Sequence, residues 1–194
     1  MQLSRTPKNR VASLRDEIKF VTEREEFMCT ILRLGDAGKI PVRITHNDTK
    51  FNNILFDSND EVLCLIDFDT VRPGFVHYDF GDAIRTAASS AAEDEKDLSK
   101  VHLRIDIFEA YARGYMEEMK GTLNETEKDY LAYAPSLLTF IMGLRFLTDY
   151  IDGDRYYKIQ YPDQNLRRAR AQFRLIESNE SHYEEMKRII SSLS

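Results

Sequence analysis

Between residues 10 and 38, apolar side chains return at three- and four-residue steps: Leu14, Ile18, Val21, Met28, Ile31 and Leu32, with charges between them. That period predicts one amphipathic helix, with Gly35 and Gly38 as stops and Pro41 beyond them. The pattern then shortens. Val42-Arg43-Ile44-Thr45, residues 53–57 and residues 62–66 read as strands, and Ser58-Asn59-Asp60 between the last two predicts a hairpin. Val62-Leu63-Cys64-Leu65-Ile66 is apolar throughout, which predicts a buried strand. After Gly74 the helical period returns over 79–90, 98–119, 125–150, 163–178 and 181–193, with Pro135 expected to kink or split the third of these. Phe140, Leu144, Leu147 and Ile151 share one apolar face there and are expected in the core. The pattern predicts an α+β fold, mainly helical, with a small β-hairpin platform set in it. Residues 1–9, with Pro7, are expected to be a loose arm, and residues 10–194 one lobe.

Composition narrows the function classes. The chain has 194 residues, 42% of them apolar, with eleven Phe and ten Tyr, enough for a real core and too much for disorder. No apolar run approaches 18 residues and Met1-Gln2-Leu3-Ser4-Arg5 opens no signal peptide, so a cytoplasmic protein without a membrane partner is expected. A net charge of −6 weighs against nucleic acid as a partner. The basic stripe Arg167, Arg168, Arg170 and Arg174 does not share one helix face and is followed by Glu177 and Glu180, so a solvated or anion-pairing helix is expected. Cys29 and Cys64 have no zinc spacing and sit in apolar patterns; both are expected to be reduced, buried thiols.

The informative stretch is Thr45-His46-Asn47-Asp48-Thr49-Lys50-Phe51-Asn52-Asn53, followed by Ile66-Asp67-Phe68-Asp69. A hairpin brings its two ends together, so Asn53 and Asp67 should face one point. Hard oxygen ligands of this kind suit Mg²⁺, which takes few protein ligands and fills the rest with phosphate and water. Asp48 is then left to orient or deprotonate a hydroxyl. Each residue alone is equally at home in a hydrogen-bonded turn. The joint order H-x-D-x-x-x-x-N, then an apolar strand ending in Asp, is the phosphoryl-transfer arrangement of kinases. Asp79-Phe80-Gly81 spells the kinase metal-binding triplet, but it lies 31 residues past Asp48 and beyond Pro73-Gly74. Asp79 is therefore read as a helix N-cap or a hydrogen-bond acceptor beneath the catalytic loop, and Asp82 as a first-turn carboxylate.

His46-x-Asp48-(x)4-Asn53 with Ile66-Asp67-Phe68-Asp69 resembles the aminoglycoside phosphotransferase/choline kinase superfamily. Longer strings, at residues 45–53, 66–74 (IDFDTVRPG), 78–85 (YDFGDAIR), 93–100 (EDEKDLSK) and 143–150 (GLRFLTDY), resemble its N-acetylhexosamine 1-kinase-like branch. The resemblance implies ATP-dependent phosphorylation of a sugar hydroxyl, in that branch the anomeric one, with Mg²⁺ as cofactor and ATP as co-substrate. It implies Asp48 as catalytic base, Asn53 and Asp67 as Mg²⁺ ligands, and Arg145 and Tyr156 as sugar contacts, with His46, Asp69 and Asp79 in support. The competing expectation for the last pair is Arg145 bound to a carboxylate such as Asp149 and Tyr156 in the core. One departure stands out. Such kinases carry an N-terminal lobe whose loop covers the phosphates and whose Lys reaches them. Here 45 residues precede His46, most read as one helix, Gly-x-Gly is absent, and Lys8, Lys19 and Lys39 lie on no strand pattern. The expectation is a kinase-like C-terminal lobe with no N-terminal ATP-covering lobe, weak or inactive alone; the alternative is a non-catalytic sugar-binding or assembly module. Its uncovered cleft floor predicts a homodimer through Phe20, Phe27, Met28 and the Phe51 loop, the alternative being a stable monomer whose first helix folds back over the cleft.

Overall fold

The computed structural model describes residues 10–193; the arm expected at residues 1–9 lies outside the described residues. The first helical stripe forms two helices, not one: α1 (Arg15–Met28) and α2 (Thr30–Asp36), broken at Cys29. At the break the Phe27 carbonyl accepts the Tyr133 hydroxyl (2.9 Å), a partner from far along the chain. The re-aimed stripe buries Leu14, Met28 and Ile31 together. α2 ends as the glycines predict: Gly38 adopts φ +67° and the Lys39 N–H returns to the Leu34 carbonyl.

Four short strands follow: β1 (Arg43–Thr45), β2 (Ile54–Phe56), β3 (Val62–Leu65) and β4 (Arg72–Gly74). β2 and β3 form the predicted antiparallel hairpin, and β1 pairs antiparallel with β4, Arg43 opposite Gly74 and Thr45 opposite Arg72. β4 was not legible in the sequence because it contains Pro73, which a strand tolerates when only one of its edges is paired. Besides these two pairs and an isolated bridge between Ser89 and Leu103, no sheet pairing occurs among the described residues. The expected burial of β3 is overturned. Val62 and Leu63 are each 63% exposed and Leu65 50%, because the hairpin stands off the helical body with neither face covered. Cys64 is accordingly exposed and Cys29 half-buried, so neither is the buried thiol expected.

The body is helical. α3 (Val76–Ala87) starts earlier than its predicted span and is capped at Phe75, so Asp79 is not its N-cap and Asp82 lies in its second turn. α4 (Ile105–Glu118) is shorter than predicted, with Leu98–Lys100 forming a separate 3₁₀ turn. The 125–150 stretch splits at Pro135 as expected: α5 (Glu125–Asp129), capped reciprocally by Asn124 and Glu127, then a 3₁₀ turn and α6 (Ala134–Asp152) with the proline in its first turn. α7 (Gln164–Ser181) and α8 (Tyr183–Leu193) complete it.

Two apolar clusters make the core, one around Phe80, Phe108, Leu131 and Met186, the other around Leu14, Tyr133, Phe146 and Ile176. α6 runs through the body, with α3 crossing one side and α7 lying along another. Glycines set both approaches: a Cβ on Gly81 would overlap the Ala134 carbonyl oxygen, and one on Gly143 would come within 2.8 Å of the Phe173 ring. On the α6 stripe Phe140 and Leu147 are buried as expected, whereas Leu144 turns out to solvent. The span from Glu125 to Asp152 is long and apolar enough to cross a membrane, and 67% of its apolar window is buried within the fold, as for a core helix. The arginines of α7 pair with anions, Arg170 with Glu17 at 2.6 Å and Arg174 with Glu177 at 3.3 Å. On the surface expected for dimerisation, Phe20 stacks on Phe173 and Met28 is buried, whereas Phe27 and Phe51 are exposed, as are Leu63 and Phe68 on and beside the hairpin.

Candidate active site

β1 delivers the chain into the loop that begins His46-Asn47-Asp48, where Asn47 adopts a left-handed φ of 62°. The loop is bolted to α3. The Asp79 carboxylate accepts both the His46 N–H (2.8 Å) and the Asn47 N–H (2.7 Å), and the Thr49 hydroxyl donates to the Asp79 carbonyl. Burial pushes the Asp79 carboxyl above its ordinary pKa, while the two N–H donors hold it down. Asp79 thus serves as an anchor beneath the loop. The loop is also tied towards the hairpin: a His46 ring nitrogen lies 3.1 Å from the Ile66 carbonyl, and the Thr70 hydroxyl donates to the His46 carbonyl.

At the hairpin base Asn53 is joined directly to Asp48. Asn53 is buried, and its side-chain amide donates to both the backbone carbonyl (2.8 Å) and the carboxylate (2.9 Å) of Asp48. This leaves the Asn53 Oδ1 as the acceptor that a cation would meet. The Ile66 N–H donates to the Asn53 carbonyl, so Asp67 emerges next to Asn53. Asp67 adopts a left-handed φ of 69° and is exposed. A hydrogen bond with Asp69, and then the charge of Asp69, raise the Asp67 pKa, while Lys50 opposes the rise. Two carboxylates this close favour a shared proton or a shared cation. No trio of His, Cys, Asp or Glu is grouped as a metal cage among the described residues. The Asn53 and Asp67 oxygens, with Asp69 beside them, still fit Mg²⁺, which typically takes one or two carboxylates and completes its shell with phosphate and water.

Lys50 was missed at the sequence level. Its ammonium lies 2.6 Å from the Asp48 carboxylate, and that hydrogen bond raises its pKa. The available signal was an Asp-x-Lys spacing within a short loop.

A cavity of about 650 Å³ opens beside Asp48. Its floor carries Asn47, Asp48 and Lys50; α3 contributes Tyr78, Asp82 and Arg85; α6 contributes Leu138, Ile141, Arg145 and Phe146; the segment after α6 contributes Tyr156 and Tyr157; and α7 contributes Arg168. Arg145 and Tyr156 are therefore brought to the same cavity as Asp48. The competing expectations for both are overturned. Tyr156 is 74% exposed, and Asp149 does not pair with Arg145. The Asp149 carboxylate instead accepts the backbone N–H groups of Arg155 (2.9 Å), Tyr156 (2.8 Å) and Tyr157 (3.0 Å), together with the Asn165 side-chain amide (2.8 Å). Asp149 thereby folds the loop that presents both tyrosines, and the Arg145 guanidinium lies 5.7 and 5.5 Å from their ring centres. Arg85, Glu93 and Arg168 were also missed. They are far apart in the chain, and only the packing of α3, α7 and the segment at Glu93 brings them together.

An acid on a loop, held by a buried amide and facing a cavity, with a carboxylate pair at the base of an adjoining hairpin, is the layout of a kinase-like phosphotransferase lobe. Residues 3–121 match the family model described as the phosphotransferase enzyme family, which is more than half of the chain. The chain belongs to that family. Phosphotransferase activity follows at the family level, and ATP and Mg²⁺ are the co-substrate and cofactor that such enzymes generally use.

Proposed function

We propose that this protein transfers the γ-phosphoryl group of ATP to a sugar hydroxyl, in the finer form the anomeric hydroxyl of an N-acetylhexosamine. The observation that carries the reading is Asp48: its carboxylate is fixed by Asn53 and Lys50 and fronts a cavity walled by both aromatic rings and charged groups. Such walls suit a sugar, whose C–H faces lie on aromatic rings while its hydroxyls reach planar polar groups. Asp48 accepts the proton of the attacking hydroxyl. Lys50 offsets negative charge beside that carboxylate. Asn53 and Asp67 would hold Mg²⁺, which when bound neutralises phosphate charge as transfer proceeds. Arg145 from α6 and Tyr156, on the loop that Asp149 shapes, hold the acceptor against the far wall.

The test is ATP consumption with N-acetylhexosamines as acceptors, with Asp48→Asn as control. The variant keeps size and hydrogen bonding but cannot take the proton, so turnover should fall about 10² to 10⁴-fold with the unfolding temperature unchanged. Equal turnover in both proteins removes Asp48 as the base.

A further inference from the structure

The charges lining the cavity are arranged in a way that speaks to the acceptor. Every acid there already has its cation: Asp48 with Lys50 at 2.6 Å, Asp82 with Arg85 at 2.9 Å, and Glu93 with Arg85 at 3.4 Å and Arg168 at 3.6 Å. In the hollow that continues past Tyr156, Asp149 is taken up by three backbone N–H groups and Asn165, and Asp152 lies 3.7 Å from Arg155. The surplus is all of the opposite sign. Arg72 and Arg145 both line the cavity and neither has a carboxylate within ion-pair distance among the described residues. The one hydrogen bond of the Arg145 guanidinium goes to the weak acceptor Sδ of Met142. Beside it, the Tyr157 hydroxyl is buried with no hydrogen-bond partner. A buried hydroxyl in that state leaves a hydrogen bond for a water or a ligand atom to supply.

Resting on the proposed transfer to a hydroxyl acceptor, we infer that the cavity selects acceptors that are neutral or acidic and excludes those carrying a protonated amine, with Arg145 as the residue that discriminates. An ammonium entering the cavity meets Arg85, Arg145 and Arg168 and finds no carboxylate that is not already paired. It can bind only by displacing a guanidinium or the Lys50 ammonium from its acid. A carboxylate or an amide carbonyl at the same place meets Arg145 and breaks nothing. This sets the protein apart from any phosphotransferase whose acceptor is a polyamine.

The experiment measures ATP consumption and, separately, calorimetric binding with three sugars that differ in charge: N-acetylglucosamine (neutral), glucuronic acid (anionic) and glucosamine below its amine pKa (cationic). Glucosamine should fall at least about tenfold below the other two in kcat/KM and in affinity, the scale of one like charge at close range in a partly shielded cavity. Arg145→Glu, at an exposed position where folding is not at stake, should raise glucosamine and lower glucuronic acid, each about tenfold. Tyr157→Phe, which keeps Arg145, should leave their order unchanged. Glucosamine used as well as N-acetylglucosamine, or an order indifferent to Arg145→Glu, overturns the charge selection while phosphoryl transfer to a sugar stands. Neither turnover nor binding with any of the three overturns the sugar reading and the charge selection with it.

Discussion

The two carboxylates at the heart of the site are held by very different means. Asp48 stands on the helical body: its loop is fastened by Asp79 from α3, and its side chain by buried Asn53. Asp67 stands on the hairpin, fully exposed, in a left-handed conformation, next to another carboxylate and among uncovered apolar strands. The half that faces the acceptor is finished by the fold. On the proposed reading, the half that would hold the metal and phosphates is finished only by what binds there, because like charges at Asp67 and Asp69 relax when a cation arrives. That reading puts rigidity where a hydroxyl would be aimed, and adaptability where a metal shell would be completed.

The contrast is breakable by measurement. The largest effect should come from the body: Phe80→Ala removes a fully buried ring from the first core cluster and should cost about 3–5 kcal/mol of stability, read by denaturant unfolding. Next comes acid. Burial lowers His77 to about 4 from an ordinary 6.5, with its ring nitrogen 3.0 Å from the Glu127 carbonyl. The unfolded chain takes up that proton below pH 6.5 and the folded chain does not until about 4. Stability should therefore fall by about 3 kcal/mol as pH drops through that window, and His77→Gln should flatten the slope in a pH series of unfolding curves. Asp79→Asn keeps the shape but turns one of two acceptors into a donor facing an N–H, so a loss of about 2–3 kcal/mol is expected, with activity falling further than stability because the Asp48 loop is freed. The smallest effect belongs to the hairpin: Leu63→Ser, at a position 63% exposed, should change stability by less than about 0.5 kcal/mol. A Leu63→Ser loss as large as that of Phe80→Ala would show that the hairpin is covered in solution and erase the difference between the two regions.

What could be read from the residues follows the same division. The hairpin, the break at Pro135 and the order of Asp48, Asn53 and Asp67 rest on local chemistry, and local chemistry is written in neighbouring positions. The interruption of the first helix at Cys29 was not legible in its apolar period: at the break the Phe27 carbonyl accepts the hydroxyl of Thr30 and that of Tyr133, more than a hundred residues away. Nor was the exposure of β3: an apolar run states what a strand would bury, not whether anything lies over it. Asp79 was legible as an acceptor under the loop and misread as a cap, since the helix begins at Val76, ahead of its apolar period. Asp48, Asn53 and Asp67 formed a motif. Arg85, Glu93 and Arg168 form one only in space, and Asp149 looked like a partner for Arg145 until its backbone donors were seen.

The two glycine contacts of α6 act as gauge blocks. Gly81 sets how near α3 comes, Gly143 how near α7 comes, and the cavity is framed by side chains from these three helices. Asp79 rides on α3 two residues before Gly81, and Arg145 rides on α6 two residues after Gly143. A single added methyl at either glycine would therefore shift the jaws of the cavity without replacing any group that meets a substrate. A displacement of about 1 Å between reacting groups is worth about 10²-fold in rate. In a lineage of such proteins, the inheritance of reactivity would then run through two hydrogen atoms in the interior. A search for the residues that tune the enzyme should look at the spacing of its frame before the tools mounted on it.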